Sequence, residues 1–176
     1  GGSSGGEGAI VGSGASPFGL GSDVGGSIRM PAFFNGIYGH KPTGGMVPNS
    51  GQYPLVTNPQ AARYVTTGPM CRFASDLMPL MQILAGPDGV DPGALDLRLG
   101  DAKSVSIEGM RVHVIASRRS YPRASEELVD AQRRAADALS NLGARVDEVE
   151  IPELEHGFEI WSAMLGEAND TPFAET

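Results

Sequence analysis

The sequence predicts an α/β protein whose core is a mixed β-sheet covered by α-helices. A strand pattern over residues 111–115, an amphipathic helix from about Ser125 to Leu142 and a strand pattern over residues 145–151 follow one another. This order forms a βαβ unit, and its helical crossover makes the two strands parallel. A second observation concerns glycine, because 16 of the 25 glycines lie within the first 51 residues. Apolar residues interrupt that region, so we expect tight, ordered loops there and not a flexible linker.

The first 66 residues predict short elements that are joined by turns. We expect a short helix after Ser4, a strand over residues 16–20, a tight turn over residues 23–26 and a second short helix that begins near Ser27. Five prolines and few periodic apolar positions then predict a long, ordered loop region over residues 31–66. Such loops often form the wall of a site.

Three later helices are predicted from their apolar periodicity. Ser75 is expected to cap a helix that ends at Gly86 and has one apolar face, formed by Leu77, Leu80, Met81 and Leu84. The helix after Ser125 ends at Gly143 and has a longer apolar stripe, formed by Leu128, Ala131, Ala135, Leu139 and Leu142. The last helix has apolar residues at i, i+4, i+7 and i+11, which are Leu154, Phe158, Trp161 and Leu165.

The composition argues against several classes of protein. The 176 residues carry 13 Lys and Arg against 21 Asp and Glu, a net charge of −8, which argues against a nucleic-acid partner. No apolar run approaches the length of a membrane-spanning helix, while attachment to a membrane surface is left open. The single cysteine, Cys71, excludes an intramolecular disulfide and fits a cytoplasmic location. The histidines are isolated, so we expect no metal. Neither a dinucleotide-binding fingerprint nor a phosphate-loop motif is complete, so we expect no cofactor.

Two glycine-flanked serine segments carry the candidate chemistry. Ser27 follows two glycines in the stretch Asp23-Val24-Gly25-Gly26-Ser27-Ile28-Arg29, where successive backbone N–H groups can face one concavity. Such donors stabilise the negative oxygen that develops when a carbonyl is attacked, by about 3 kcal/mol per donor. Upstream, Ser3 and Ser4 lie between glycines, and a hydroxyl there can relay a proton if another group finally holds it. The pattern indicates a nucleophilic serine.

These segments resemble the motifs of the amidase signature family. The likeness rests on Gly-Gly-Ser-Ser-Gly-Gly-Glu-Gly from Gly1, on Gly-Ser-Asp-Val-Gly-Gly-Ser-Ile-Arg-Met-Pro from Gly21 and on Gly-His-Lys-Pro-Thr from Gly39. Ser3 and Ser27 are 24 positions apart, which is also the family's spacing between its relay serine and its nucleophile. Further stretches resemble the fatty-acid amide hydrolases of the second type and their bacterial relatives, among them residues 51–54 and 67–72.

The resemblance implies the amidase signature fold and a Ser–cis-Ser–Lys triad. Ser27 would be the nucleophile and Ser3 the bridging serine, and the oxyanion hole would comprise the backbone N–H groups of Val24, Gly25, Gly26 and Ser27. The implied reaction is hydrolysis of the carbon–nitrogen bond of a linear amide through an acyl-enzyme. A small-molecule amide, and within that class a fatty-acid amide, is the expected substrate.

Several side chains around the serines have two interpretations each. Ser4, Asp23 and Arg29 are expected to hold the two glycine loops, although Asp23 and Arg29 could equally form a plain surface ion pair. Ser27 could also be a helix N-cap, which is compatible with a role as nucleophile. Four apolar side chains could line an acyl pocket, but core packing is the favoured interpretation for Met46, Tyr53, Phe158 and Trp161.

The resemblance also implies that residues 1–176 are the central part of a larger amidase signature domain. The family's catalytic lysine precedes the first glycine motif, and Lys41 matches a segment downstream of the nucleophile, so neither this lysine nor the C-terminal part of the domain is in the sequence. We therefore expect the isolated chain to be inactive. Two alternatives stay open, the glutaminase subunit of a tRNA-dependent amidotransferase and a truncated, non-catalytic interaction module. A homodimer is also left open.

Overall fold

The computed structural model describes residues 2–53, 62–115 and 124–168. The chain divides into two compact units, one formed mainly by the residues up to Gly100 and one that runs from Asp101 to Met164. Each unit combines strands with helices, and the strands include both antiparallel and parallel pairs. The predicted mixed α/β class is therefore confirmed.

A three-stranded antiparallel sheet lies at the centre of the first unit. Its strands are β1 (Phe18–Asp23), β2 (Tyr38–Gly39) and β3 (Thr66–Cys71), in the order β1-β3-β2. Asp23 at the end of β1 pairs with Thr66 at the start of β3. The strand predicted over residues 16–20 is observed as β1, but it ends three residues later than expected, at Asp23 and not at Leu20. The residue range 31–66 is not a continuous loop, because it contains most of a helix and all of β2.

Three helices surround this sheet, namely α1 (Gly5–Gly12), α2 (Arg29–Asn35) and α3 (Leu77–Leu84). The two short helices predicted after Ser4 and near Ser27 are confirmed as α1 and α2. A 3₁₀ turn over residues 74–76 precedes α3, so Asp76 is the N-cap residue and the prediction that Ser75 caps this helix is wrong. Met81 is the buried residue of α3.

The core of the first unit centres on Ile28, whose side chain is fully buried. Three glycines, one on each strand, make room for it. A methyl group on Gly21, Gly39 or Gly68 would lie 3.0, 2.8 or 3.2 Å from the nearest Ile28 side-chain atom, closer than ordinary van der Waals contact. We call this arrangement the Ile28 socket. It fixes the residue that directly follows Ser27.

The second unit contains the predicted βαβ arrangement. It comprises β4 (Arg111–Ile115), α4 (Glu126–Asn141) and β5 (Arg145–Val149). The strands β4 and β5 pair in parallel, with Ile115 opposite Val149. The βαβ prediction is therefore confirmed in both order and direction.

The apolar stripe predicted on α4 is mostly exposed within this unit. Leu142 is 59% exposed, and Leu139 is the member of the stripe that is half-buried. A 3₁₀ turn over residues 152–156 precedes α5 (Gly157–Ala168), which corresponds to the last predicted helix. Among the described residues, no helix combines the length and apolarity that a membrane crossing requires.

Candidate active site

Ser27 lies in the turn that joins β1 to α2, where the chain leaves the end of the sheet. Its side chain is half-buried. The N-cap residue of α2 is Ile28, and no side chain caps this helix, so the interpretation of Ser27 as an N-cap is wrong. The Ile28 socket anchors the chain one residue after Ser27, and β1 anchors it four residues before.

The carboxylate of Asp23 orders this turn from the inside. It is fully buried and accepts the backbone N–H of Gly26 at 2.7 Å, that of Ile28 at 3.1 Å and that of Arg29 at 3.2 Å. The Arg29 side chain adds two bonds of 3.0 Å, from Nε and from Nη2. Because Asp23 is fully buried, the two residues do not form a plain surface ion pair. The turn and the start of α2 are therefore both hydrogen-bonded to the Asp23 carboxylate.

The same contacts determine the charge state of the pair. Burial alone would raise the pKa of the Asp23 carboxyl, but the Arg29 guanidinium and the three backbone N–H groups outweigh it and hold the pKa well below the ordinary 3.8. The bond to Asp23 raises the pKa of Arg29. Burial lowers the pKa of Lys41, which also lies near enough to be affected by both charges. At neutral pH the turn therefore contains a charged, bidentate ion pair.

The segment that carries Ser3 lies against this turn. Gly2 has a φ of 85°, and a methyl group on it would lie 2.6 Å from Cδ of Pro31 and 3.4 Å from Cα of Ser27. The backbone N–H of Ser4 donates to the carbonyl of Ser27 at 3.3 Å. The structure thus brings together the two segments that the sequence predicted, with Ser3 exposed between Gly2 and Ser4.

Ser4 also connects its segment to β1. Its hydroxyl donates to the carbonyl of Ser22 at 3.3 Å and accepts the backbone N–H of the same residue at 3.3 Å. Ser4 is only 8% exposed. It is therefore a link between β1 and the turn that contains Ser27, as a residue that holds the glycine loops would be.

The four N–H groups expected to form an oxyanion hole are not equivalent. The N–H of Gly26 is committed to Asp23. The N–H groups of Val24, Gly25 and Ser27 donate to no acceptor within the described part of the chain. Gly26 has a φ of 113°, which an L side chain rarely adopts, and this conformation lets its N–H turn inward. Three of the four N–H groups are therefore not committed to an acceptor within the described part of the chain.

The contacts of three residues near the serines, Ser22, Ile28 and Gln52, were not predicted from the sequence. Gln52 donates from Nε2 to Oγ of Ser22 at 3.4 Å and to the carbonyl of Tyr53 at 3.1 Å. A signal for all three was present, because they lie within the stretches that carry the family resemblance. Tyr53, Phe158 and Trp161 are 79%, 61% and 41% exposed, so they do not pack in a core within this chain.

Comparison with known proteins identifies the family of this chain. The sequence profile of the amidase family matches residues 1–172. Fatty-acid amide hydrolase 2-B of Danio rerio is 46% identical over 169 residues, which are 94% of this chain and 31% of that protein. A glutamyl-tRNA(Gln) amidotransferase subunit of Deinococcus radiodurans is 44% identical over 158 residues, which are 89% of this chain and 31% of that protein.

The solved structure of a bacterial aryl acylamidase of the amidase signature enzymes gives a similar result. It superposes with a TM-score of 0.77 at 31% identity, over 94% of this chain and 34% of that one. The chain thus spans about a third of the length of the relatives that it matches. The profile match over nearly the whole sequence shows that the chain belongs to the amidase family.

Proposed function

We propose that this chain supplies the nucleophile and the proton relay of an amide hydrolase. One observation carries the proposal, namely the contact between the two serine segments. In it, the Ser4 N–H donates to the Ser27 carbonyl, and a methyl group on Gly2 would lie 3.4 Å from Cα of Ser27. Ser27 is the nucleophile, and Ser3, exposed beside this contact, is the relay.

The proposed reaction has two steps. The Ser27 oxygen attacks the amide carbonyl carbon while its proton passes to Ser3, whose own proton moves to a base. The carbon–nitrogen bond then breaks, the leaving amine takes a proton back through Ser3, and an ester on Ser27 remains. Water hydrolyses that ester by the reverse relay. The family resemblance assigns the base to a lysine that precedes the first glycine motif, outside this sequence.

The oxyanion of each tetrahedral intermediate would lie against the free N–H groups of Val24, Gly25 and Ser27. The Asp23–Arg29 pair supports this role because it fixes the turn before the substrate arrives, so that little reorganisation is needed during the reaction. Removal of one such donor costs about 3 kcal/mol of transition-state stabilisation in known enzymes.

An amide with an apolar acyl chain is the proposed substrate. Met30 supports this choice, because its side chain is 42% exposed and lies beside the nucleophile turn, where a methyl group on Gly26 would be 3.1 Å from Cγ and Sδ of Met30. The 46% identity to fatty-acid amide hydrolase 2-B points the same way.

A glutaminase of the amidotransferase type is the second candidate. The observation that favours it is the 44% identity to the amidotransferase subunit from Deinococcus radiodurans. The two candidates predict different substrates for the same serines. Hydrolysis of a long-chain acyl amide but not of glutamine, with or without amidotransferase partner subunits, would select the first, and the opposite result would select the second.

Two further expectations remain proposals. We propose a cytoplasmic location, which the free and buried Cys71 supports. We also keep a homodimer as the proposed assembly, supported by exposed apolar side chains such as Phe33 and Phe34 on α2, which are 61% and 62% exposed.

The experiment that tests the proposed function is amide turnover by the natural full-length protein and three serine variants. Ser27→Ala should abolish turnover, and Ser3→Ala should lower kcat by at least about a hundredfold, because general acid–base relay contributes that much. Ser13→Ala is the matched control, since this exposed hydroxyl donates only to the Ile10 carbonyl at the end of α1. It should leave kcat unchanged.

Turnover that persists in Ser27→Ala would overturn the assignment of the nucleophile. Turnover that is equal in Ser3→Ala and wild type would remove Ser3 from the relay. Absence of turnover on both long-chain amides and glutamine would favour the non-catalytic interaction module.

A further inference from the structure

The segment over residues 45–53 lies beside the end of β1, and hydrogen bonds join it to residues that follow α3. The N–H of Gly86 donates to the carbonyl of Met46 at 3.0 Å, and the N–H of Leu95 donates to the carbonyl of Gly45 at 2.8 Å. The N–H of Asn49 donates to a carboxylate oxygen of Asp91 at 2.8 Å. This segment is therefore fixed to the chain that follows α3.

The side chain of Asn49 joins the same segment to the sheet. Its Nδ2 donates to the carbonyl of Val65 at 3.1 Å, and its Oδ1 accepts the hydroxyl of Thr67 at 3.2 Å. Thr67 pairs with Ser22 across β1 and β3. The N–H of Gln52 donates to the Asn49 carbonyl at 3.0 Å, which closes a turn and places Gln52 opposite Ser22.

From Gln52 a chain of hydrogen bonds leads to the two catalytic segments. Gln52 donates to Oγ of Ser22, and the backbone of Ser22 exchanges two bonds with the Ser4 hydroxyl. The N–H of Ser4 then reaches the carbonyl of Ser27. Every member is half-buried or buried, so water competes less for these bonds than at an exposed surface.

We propose that Gln52 is a positioning residue for the proton relay. It acts through Ser22 and Ser4 to hold the segment of Ser3 against the nucleophile turn. The inference rests on the proposed function, because it assigns Gln52 to the step in which Ser3 carries the proton. Gln52 itself has no contact with the reacting atoms in this proposal.

The bond between Gln52 and Ser22 can be removed from either end. Gln52→Leu keeps a similar volume and loses the donor, and with it the bond to the exposed Tyr53 carbonyl. Ser22→Ala loses the acceptor while the bonds to Ser4 stay, since those use the backbone of Ser22. Each variant should lower kcat and kcat/KM about fivefold, the size expected for one neutral hydrogen bond, with KM unchanged. The double variant should be no slower than either single variant.

The matched control is Gln82→Leu, an exposed glutamine on α3 in the same unit, which should keep the wild-type kcat. The rates are to be measured on the full-length protein and divided by the concentration of sites that react with a fluorophosphonate. This correction removes any loss of folded protein, so a purely structural role for Gln52 would leave the corrected kcat unchanged and would refute the proposal.

Two other results would also refute it. Multiplicative losses in the double variant would show that Gln52 and Ser22 act independently, and a rise in KM at constant kcat would place Gln52 against the substrate. The failure of the proposed function is separate, because it is read from wild type and Ser27→Ala. If wild type shows no turnover that Ser27→Ala removes, the relay and the role of Gln52 in it are rejected together.

Discussion

At the residue scale, the candidate site depends on the buried carboxylate of Asp23. A buried charge costs free energy unless it is paired and hydrogen-bonded, and Asp23 meets this condition with five bonds to Gly26, Ile28 and Arg29. The partner Arg29 has a side chain that is 56% exposed, so solvent screens part of the attraction. The exposed Arg29 guanidinium therefore contributes less to stability than a buried partner would.

Asp23→Asn should lower the free energy of unfolding by about 1–3 kcal/mol at pH 7, because an amide offers one acceptor oxygen where the carboxylate offers two to Gly26, Ile28 and Arg29. The loss should shrink as the pH falls. The folded pKa of Asp23 lies below 3.8, so the unfolded chain binds a proton first and wild type loses this stabilisation from about pH 5 downward, through the folded pKa. Urea unfolding at pH 7, 5, 4 and 3 would measure both effects.

Asp137→Asn, at an exposed position on α4, serves as the control for this series and should change the free energy of unfolding by less than about 0.5 kcal/mol. A difference between wild type and Asp23→Asn that stays constant from pH 7 to pH 3 would contradict the account.

The sequence predicted the site at this scale only in part. Spacing and resemblance singled out Ser3, Ser27 and the Asp23–Arg29 pair, because reactive groups flanked by glycine form a recognisable pattern. They did not show that the Gly26 N–H faces Asp23, since this depends on the φ of 113° at Gly26. The bond from Gln52 to Ser22 joins residues 30 positions apart, and only the folded chain brings them together.

At the element scale, the strands, α1 and α2 meet at glycines. Gly21 on β1 faces Ser4 as well as Ile28, and a methyl group there would lie 2.6 Å from Oγ and 3.0 Å from Cβ of Ser4. Gly8 on α1 likewise allows Asn35 of α2 to approach closely, because Nδ2 of Asn35 would lie 2.8 Å from a methyl group on Gly8. These close approaches place α1, α2 and β1 around the two serine segments.

Gly21→Ala should therefore lower the free energy of unfolding by about 1–3 kcal/mol and reduce turnover, since the added methyl group displaces Ser4 or Ile28. Gly6→Ala is the matched control. It adds the same methyl group in a helix where nothing lies within 4 Å, and it should raise the free energy of unfolding by up to about 1 kcal/mol through helix propensity. Urea unfolding measures both, and a Gly21→Ala variant as stable as wild type would contradict the packing described.

Most elements could be predicted from local patterns, and β3 could not. The βαβ unit and α1 follow from periodicity, capping residues and glycine stops, which are properties of neighbouring residues. β3 contains Gly68 and Pro69, which are typical of loops, yet it is the central strand. Proline is tolerated at position 69 because β2 ends at Gly39, opposite Met70, so no ladder bond requires an N–H there. The Pro69 carbonyl still accepts the N–H of His40.

At the scale of the whole molecule, the chain spans about a third of the length of the relatives that it matches. The apolar stripe of α4 predicts a buried helical face, but its residues Leu128 and Leu142 are 42% and 59% exposed. Amphipathic periodicity shows which face of a helix is apolar, and it does not show what covers that face. For this reason the burial of α4 could not be predicted from the 176 residues.

The central claim is that Ser27 is the nucleophile. It is tested most directly by treating the natural full-length protein with a fluorophosphonate and locating the adduct by peptide mass spectrometry. We expect a single adduct on Ser27, which is absent in Ser27→Ala and forms more slowly in Ser3→Ala because the relay is lost. An adduct on Ser3, Ser4 or any other residue, or labelling that persists in Ser27→Ala, would contradict it.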